Sequence, residues 1–313
     1  MTEADAGRAT FARYRDLMAA HGFRPSRRFG QNFLLEPALH RTIADAVDVG
    51  PADLVVEVGP GLGFLTRELA RRAGGVVAVE IDPRLARILA GEIREMPGGE
   101  RVELLVQDVL GKGGVIAPEV ESAVAAARGR VPAEGRLLVV ANLPYAVTGP
   151  FLAALVQAGF GTADAMSLLV QFEFAERVAA RAGEAAYGGP SGLLQAGYDV
   201  DLVRKVGREV FRPRPQVDSA IVRLRARHGV PFQGWDPATR SRFARFVRAL
   251  FAARRKTLRH GLERAERELG SAFPVDAETA RRRAEELGAD ELVSVFLGGG
   301  APGQPDSPGA SLA

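Results

Sequence analysis

The aliphatic run Leu54-Val55-Val56-Glu57-Val58 breaks directly into Gly59-Pro60-Gly61-Leu62-Gly63, and a helical spacing then carries on to Arg72. A strand that ends in a glycine turn and reopens as a helix limits the chain to strand-helix architecture, because glycine tolerates the sharp turn and the close backbone approach that side chains forbid. The pattern recurs. Residues 76–80 read as strand before a helix around 83–94, and Val102–Val106 leads through a loop to a strand at 137–141. Residues 151–157 then read as helix, Ala165–Gln171 as strand and 173–181 as helix. This alternation predicts an α/β fold with a parallel, doubly wound, Rossmann-like sheet, whose ligands lie at the carboxyl ends of the strands.

Other elements flank that frame. A short helix is predicted at 10–20, followed by the basic loop Arg24-Pro25-Ser26-Arg27-Arg28-Phe29-Gly30, and an amphipathic helix at 36–47 carries Leu39, Ile43, Ala46 and Val47. Residues 111–135 are long for a connection and hold a helical stretch at 118–127, which reads as a surface insertion. Late strands are expected at 195–201 and 219–225, the second after the corner Phe211-Arg212-Pro213-Arg214-Pro215. From 237 to 297 the pattern is helical with short breaks. The expected division is a basic N-terminal segment at 1–30, an α/β domain at 31–228, a smaller helical domain at 229–297 and a disordered tail at 298–313.

Composition removes several function classes. With no cysteine there is no disulfide frame, thiolate zinc site or cysteine nucleophile, and four scattered histidines offer no metal cluster. No run approaches the roughly 18 apolar residues of a membrane span, so a soluble, cytoplasmic chain is expected. The formal charge of +3 hides an asymmetry: residues 201–260 hold 16 Lys+Arg against 4 Asp+Glu, leaving the rest of the chain acidic. A polyanion is therefore expected at the basic block.

Three constellations carry chemistry. The glycine turn departs from a dinucleotide fingerprint, because Phe64 stands at its last position and Pro60 has no N–H to cradle a pyrophosphate; a nucleoside ligand without phosphates fits better. Taken alone, the turn is equally a tight connection with no ligand. The second constellation is the polar series ending successive strands: Glu80, Asp108 and Asn142. Glu80 lies where a carboxylate accepts ribose hydroxyls, Asp108 where one accepts an adenine amine, and the acidity suits a cationic sulfonium. The third is Asn142-Leu143-Pro144-Tyr145. Methyl transfer to an exocyclic amine needs acceptors that draw the nitrogen lone pair out of conjugation. The Asn142 side-chain oxygen and the Leu143 carbonyl supply them, Pro144 fixes the turn and Tyr145 offers a face for a flipped base.

These strings, together with Phe29-Gly30-Gln31-Asn32-Phe33-Leu34, Glu80-Ile81-Asp82, Gln107-Asp108, Pro213-Arg214-Pro215-Gln216-Val217-Asp218-Ser219 and Arg254-Arg255-Lys256-Thr257-Leu258-Arg259, resemble the ribosomal RNA adenine N6-dimethyltransferases. The match runs in order from about 27 to 297 and is most similar to the bacterial enzymes that dimethylate two adjacent adenines in the 3′-terminal hairpin of 16S rRNA. The resemblance implies S-adenosylmethionine as donor, a helical C-terminal domain, 16S rRNA of the immature small subunit as partner, and a monomer. It implies that Asn32 and Leu34 cover the cofactor, that Gly59 meets its methionine part, that Gly61 and Asn142 also bind the cofactor, and that Glu80 takes the ribose and Asp108 the adenine. By the same resemblance Asn142 sits at the transfer point, while Tyr145 and Phe174 sandwich the target base.

The chain departs from the family pattern at Gln171-Phe172-Glu173, where a basic residue is usual in the middle, and at Tyr187-Gly188-Gly189-Pro190-Ser191. Arg24, Arg27, Arg28, Arg212, Arg214, Arg254, Arg255, Lys256 and Arg259 are candidates for RNA phosphate, whereas Phe243, Phe246, Val247, Leu250 and Phe251 form a core stripe. Two other readings remain open: methylation of large-subunit rRNA or DNA, and a binding role in assembly without turnover.

Overall fold

The computed structural model describes residues 3–26, 29–158 and 163–298. Its backbone divides into two compact units: Met1–Ala179 with Tyr198–His228, and Ala180–Gly197 with the chain from Gly229 onward. The crossing after residue 228 coincides with the boundary expected from sequence. Residues 180–197, expected in the α/β domain, group instead with the helical unit.

In the first unit a helix, α1 (Glu3–Ala20), precedes the two-residue strand β1 (Phe33–Leu34) and α2 (Pro37–Asp45). There follow β2 (Leu54–Val58), α3 (Phe64–Arg72), β3 (Gly75–Glu80), α4 (Pro83–Glu95), β4 (Val102–Val106), α5 (Pro118–Arg128), β5 (Leu137–Asn142), α6 (Tyr145–Leu155), β6 (Ala165–Gln171) and α7 (Phe172–Ala179). After the second unit's first segment come β7 (Tyr198–Val206), β8 (Phe211–Arg212) and β9 (Ser219–Ala226). The sheet order is β4-β3-β2-β5-β6-β9-β7. The first five strands are parallel, whereas β9 runs antiparallel to both β6 and β7.

The strands β2, β5 and β6 are buried almost throughout, so each reads as a continuous aliphatic run. Leu39, Ile43, Val55, Leu69, Val76, Leu138, Val140, Leu169 and Ile221 belong to one core cluster. Both α2 and α4 open the same way, with a carboxylate cap followed by proline: Glu36 accepts from Ala38 N and Asp82 from Arg84 N.

Four local expectations need correction. The N-terminal helix is longer than 10–20. The expected strand at 195–201 is a helix end at Gln195 followed by a strand from Tyr198, because Gly197 breaks the run. The helix expected at 151–157 begins at Tyr145 and contains Pro150. The helix in 111–135 is no surface insertion: Val120, Ala123, Val124 and Ala127 are buried, and α5 packs beside β2 and β3 as a crossover helix.

The second unit contains α8 (Gly189–Gln195), α9 (Pro231–Gly234), α10 (Pro237–Phe251), α11 (Leu258–Leu269) and α12 (Ala289–Gly298). Its core is aromatic: Phe243 and Phe246 of α10 pack with Phe296 of α12 at ring separations of 5.3 and 5.5 Å, and Trp235 joins them. The stripe expected to be core is core. Between α11 and α12 the chain holds two short 3-10 turns rather than continuous helix. The expected tail, 298–313, lies outside the described residues except for Gly298, as do Arg27 and Arg28.

Candidate active site

The chain order of the sheet reverses between β2 and β5, which are paired in register with Val58 opposite Ala141. The turn after β2 and the Asn142 end of β5 therefore lie side by side, at the kind of switch point where doubly wound sheets bind ligands. A cleft, partly open to solvent, forms there. Its lining comes from 29–34, from β2 and its turn, from Glu80 and Ile81, and from 142–145.

The glycine turn gives the cleft a backbone wall. Gly59 and Gly61 adopt φ of +69° and +58°, in the left-handed region that side chains resist. A Cβ on Gly61 would come within 3.1 Å of the Phe33 ring. The Gly61 N–H donates to Glu80 Oε2 at 3.0 Å and the Asp82 N–H donates to Glu80 Oε1 at 2.9 Å, so the carboxylate at the end of β3 is fixed by its neighbours. Burial pushes the Glu80 pKa up, and these N–H donors oppose the rise.

Glu57 interrupts the aliphatic strand β2 and is 1% exposed. Its Oε2 has no hydrogen-bond partner among the described residues. Burial raises its pKa to about 8, and the charge of Glu80 adds to the rise. His40 of α2 also lines the cleft, with its ring stacked on Phe64; burial lowers its pKa to about 4, so it is neutral at physiological pH. Among the described lining residues none is Lys or Arg. Two acids, one of them with an orphaned oxygen, and no cation suit an uncharged or positively charged ligand and oppose a phosphate.

The 29–34 segment is tied across this wall. Gln31 Nε2 donates to Asp82 Oδ2 at 3.0 Å while Gln31 Oε1 accepts from Ser26 N at 2.7 Å. Burial works against ionisation of Asp82, but Arg84 and Gln31 hold its pKa down to about 2. Antiparallel pairing of β1 with β8, Leu34 opposite Phe211, anchors the far end of the segment.

At the other wall, Asn142 Nδ2 donates to the backbone carbonyl of Asn32 at 3.3 Å. That bond uses the amide's donor side and leaves Oδ1 as an acceptor. Leu143 N donates to Leu169 O at 3.1 Å, which ties the turn to β6. The Tyr145 hydroxyl lies 3.0 Å from Ser219 Oγ, and burial raises its pKa. It is therefore a neutral phenol held by β9.

Of the residues singled out in sequence, Asn32, Leu34, Gly59, Gly61, Glu80, Asn142, Leu143, Pro144 and Tyr145 all line this one cleft. Asp108 and Phe174 are not part of that lining. Asp108 is exposed and accepts from Leu110 N at 2.9 Å, and Phe174 lies against Gly149 of α6, where a Cβ would sit 3.9 Å from its ring. Sequence reasoning gave no role to His40, Gln31 or Glu57. The signal for Glu57 was present: a carboxylate in an otherwise aliphatic run.

A family model described as "Ribosomal RNA adenine dimethylase" matches residues 22–281. The chain belongs to the ribosomal RNA adenine dimethylase family. It is 40% identical over 293 residues to a ribosomal RNA small subunit methyltransferase A of Moorella thermoacetica, covering 92% of this chain and 96% of that protein. It is 39% identical over 267 residues to the protein of the same name from Thermobifida fusca, covering 84% and 86%. Among solved structures, a dimethyladenosine transferase from Plasmodium falciparum shares the fold with a TM-score of 0.63 at 22% identity, covering 83% of this chain and 94% of that one. The 23S rRNA methyltransferase ErmE superposes with a TM-score of 0.55 at 26% identity, covering 85% and 99%. This is a methyltransferase fold of Rossmann type with a smaller helical C-terminal unit, and its donor is S-adenosylmethionine. The cleft fits that donor: a glycine cradle for a nucleoside without phosphates, and carboxylates without competing cations for its positive groups.

Proposed function

We propose that this protein dimethylates the N6 atoms of two adjacent adenines in the 3′-terminal hairpin of 16S rRNA, within the immature small ribosomal subunit. The 40% identity to small-subunit methyltransferases, against 26% to a large-subunit enzyme, supports that choice of RNA. The observation that carries the chemistry is the fixed Asn142 amide at the strand switch point.

The bound donor supplies an electrophilic methyl group on a sulfonium. The protein's part is to place a poor nucleophile in line with it. An adenine N6 lone pair is conjugated with the ring, so the amine must be held with its hydrogens directed at acceptors. Asn142 Oδ1, made an acceptor by the bond from Nδ2 to Asn32 O, and the Leu143 carbonyl take this role. Tyr145, pinned through Ser219, provides the face on which the base stacks, and Phe174 closes the far side. Asn32 and Leu34 cover the donor, Gly59 and Gly61 admit its methionine part, Glu80 accepts its ribose hydroxyls and Asp108 keeps one oxygen for its adenine amine. No strong base is needed, because the amine sheds its proton once methylated. Catalysis rests on orientation, and two rounds need two donors.

Labelled S-adenosylmethionine supplied with small subunits lacking the hairpin dimethyladenosines tests the reading, with naked rRNAs and DNA as controls. Label mapping to the paired hairpin adenines is the expected result. Label in 23S rRNA or DNA, or donor binding without transfer, overturns it.

A further inference from the structure

One departure from the family pattern, Phe172, acquires a role from its surroundings. Ser219, whose hydroxyl meets Tyr145, lies directly opposite Gln171 in the β6–β9 ladder, and one step further out Phe172 N donates to Asp218 O at 3.0 Å. A separate groove, lined by Gln171, Phe172, Glu173, Arg208, Gln216, Val217 and Asp218, opens one residue beyond that pair, where Lys205, opposite Ala220, marks the other face of the sheet. Val217 is 46% exposed there. Lys205 Nζ lies 4.4 Å from the centre of the Phe172 ring and 3.4 Å from Asp218 Oδ2, and Arg208 donates to the Gln216 carbonyl at 2.7 Å. Glu173 pairs with Arg177 at 2.9 Å and Asp218 with Lys205, so carboxylates and cations alternate around the groove.

We propose that this groove is a second base subsite: it takes the unstacked nucleobase next to the adenine being methylated, seated against Phe172 and Val217, with Lys205 and Arg208 beside the sugar-phosphate. The occupant follows from continuity and charge. A flipped base entering at Tyr145 brings its covalently attached neighbour past the strand end to this groove, where a ring, an exposed aliphatic group and the cations Lys205 and Arg208 lie, Lys205 shared with Asp218. A subsite of this kind holds one adenine of an adjacent pair while the other reacts. It rests on the assignment of the base site made above.

The test uses the full-length protein and small subunits reconstituted with 16S rRNA in which one of the two hairpin adenines is replaced. The replacement is either 2-aminopurine, a fluorescent purine without an N6 amine, or an abasic residue; the remaining adenine is the acceptor. For the unaltered protein, KM is expected to be about ten-fold lower with the 2-aminopurine neighbour than with the abasic one, in keeping with base-aromatic stacking. Phe172→Leu and Val217→Ser are expected to raise KM for the 2-aminopurine substrate toward the abasic value, with kcat and the abasic KM unchanged. The change in 2-aminopurine fluorescence on binding should weaken in both variants. Equal losses on both substrates, or none on either, overturn the subsite. If the unaltered protein binds these subunits without methylating them, the function proposed above fails, while a fluorescence change that depends on Phe172 still upholds the groove and one that does not removes it.

Discussion

The donor wall of the cleft comes from residues 57–82, a single strand-helix-strand stretch, whereas the acceptor wall draws Asn32, 142–145 and Ser219 from three separate parts of the chain. The donor wall is made of backbone and of carboxylates held by nearby N–H groups, so its shape is settled locally. The acceptor wall exists only when β5 lies beside β2, the 29–34 segment crosses it, and β9 returns antiparallel to β6. Ligand binding should therefore fail through changes in the first wall, and turnover through changes in the second.

The largest effect is expected at Asn142. Asn142→Ala removes the acceptor for the amine and should lower kcat by about 10²–10³, the scale found for a lost preorganised hydrogen-bonding group at a reacting centre. Donor affinity, measured by calorimetry, should hardly change. Asn142→Asp keeps an acceptor oxygen but loses the donor to Asn32 O and sets two oxygens against each other, so an intermediate loss is expected. Equal losses of kcat and donor affinity in Asn142→Ala would erase the distinction between the walls.

The mirror-image change is Glu80→Gln. Its amide can satisfy only one of the Gly61 and Asp82 N–H groups, leaving the other buried without a partner at a cost of about 1–3 kcal/mol. Loss of the charged acceptor for the ribose hydroxyls should weaken donor binding by about 10–100-fold, the scale of a hydrogen bond to a charged group. Turnover at saturating donor should be retained, and the chemical denaturation midpoint should fall.

The difference between the walls also explains what the sequence made legible. Strand runs such as Leu54–Val58 and Ala165–Gln171 are aliphatic and bounded by breakers, so their limits follow from period and punctuation. Glu80 and Asn142 were readable as strand-end residues because parallel order carries every strand's carboxyl end to one edge. Leu34 and Asn32 were placed by resemblance alone, since a β1–β8 pairing across about 180 positions leaves no local trace. Asp108 shows the limit of the strand-end rule: its side chain caps the following turn at Leu110, a local bond that competes with a ligand role. The helical unit's capture of 180–197 depends on contacts such as Tyr187 Oη to Leu287 O at 2.9 Å, one hundred positions apart. For the β1–β8 segment and for 180–197 the missing information is long-range pairing.

A smaller effect is expected at Tyr145. Tyr145→Ala removes the stacking face and should raise KM for the RNA by about ten-fold. Tyr145→Phe keeps the face and loses only the bond to Ser219 Oγ, so a few-fold loss is expected, shared by Ser219→Ala. A Phe variant as impaired as the Ala variant would shift the role of Tyr145 from stacking to hydrogen bonding.

The smallest effect on turnover, and the one that cuts across both walls, belongs to Glu57. Its carboxyl group is held up to about 8, against 4.5 in the unfolded chain, chiefly by burial. Between those pH values the folded state keeps a proton that the unfolded state has released, so this group's contribution to stability declines as pH rises through the window and levels off above about 8. A cation in the cleft favours the ionised form instead, since Glu57 Oε2 has no hydrogen-bond partner among the described residues. Donor binding should then release a proton below pH 8, and affinity should rise with pH up to that point. Glu57→Gln should abolish the proton release, read by calorimetry in buffers of different ionisation enthalpy, and remove this group's share of the change in thermal midpoint between pH 4.5 and 8, so the variant gains most against the unaltered protein at the alkaline end. Proton release that persists in the Gln variant would assign the linkage to Glu80, the other buried carboxylate of the cleft whose pKa is raised.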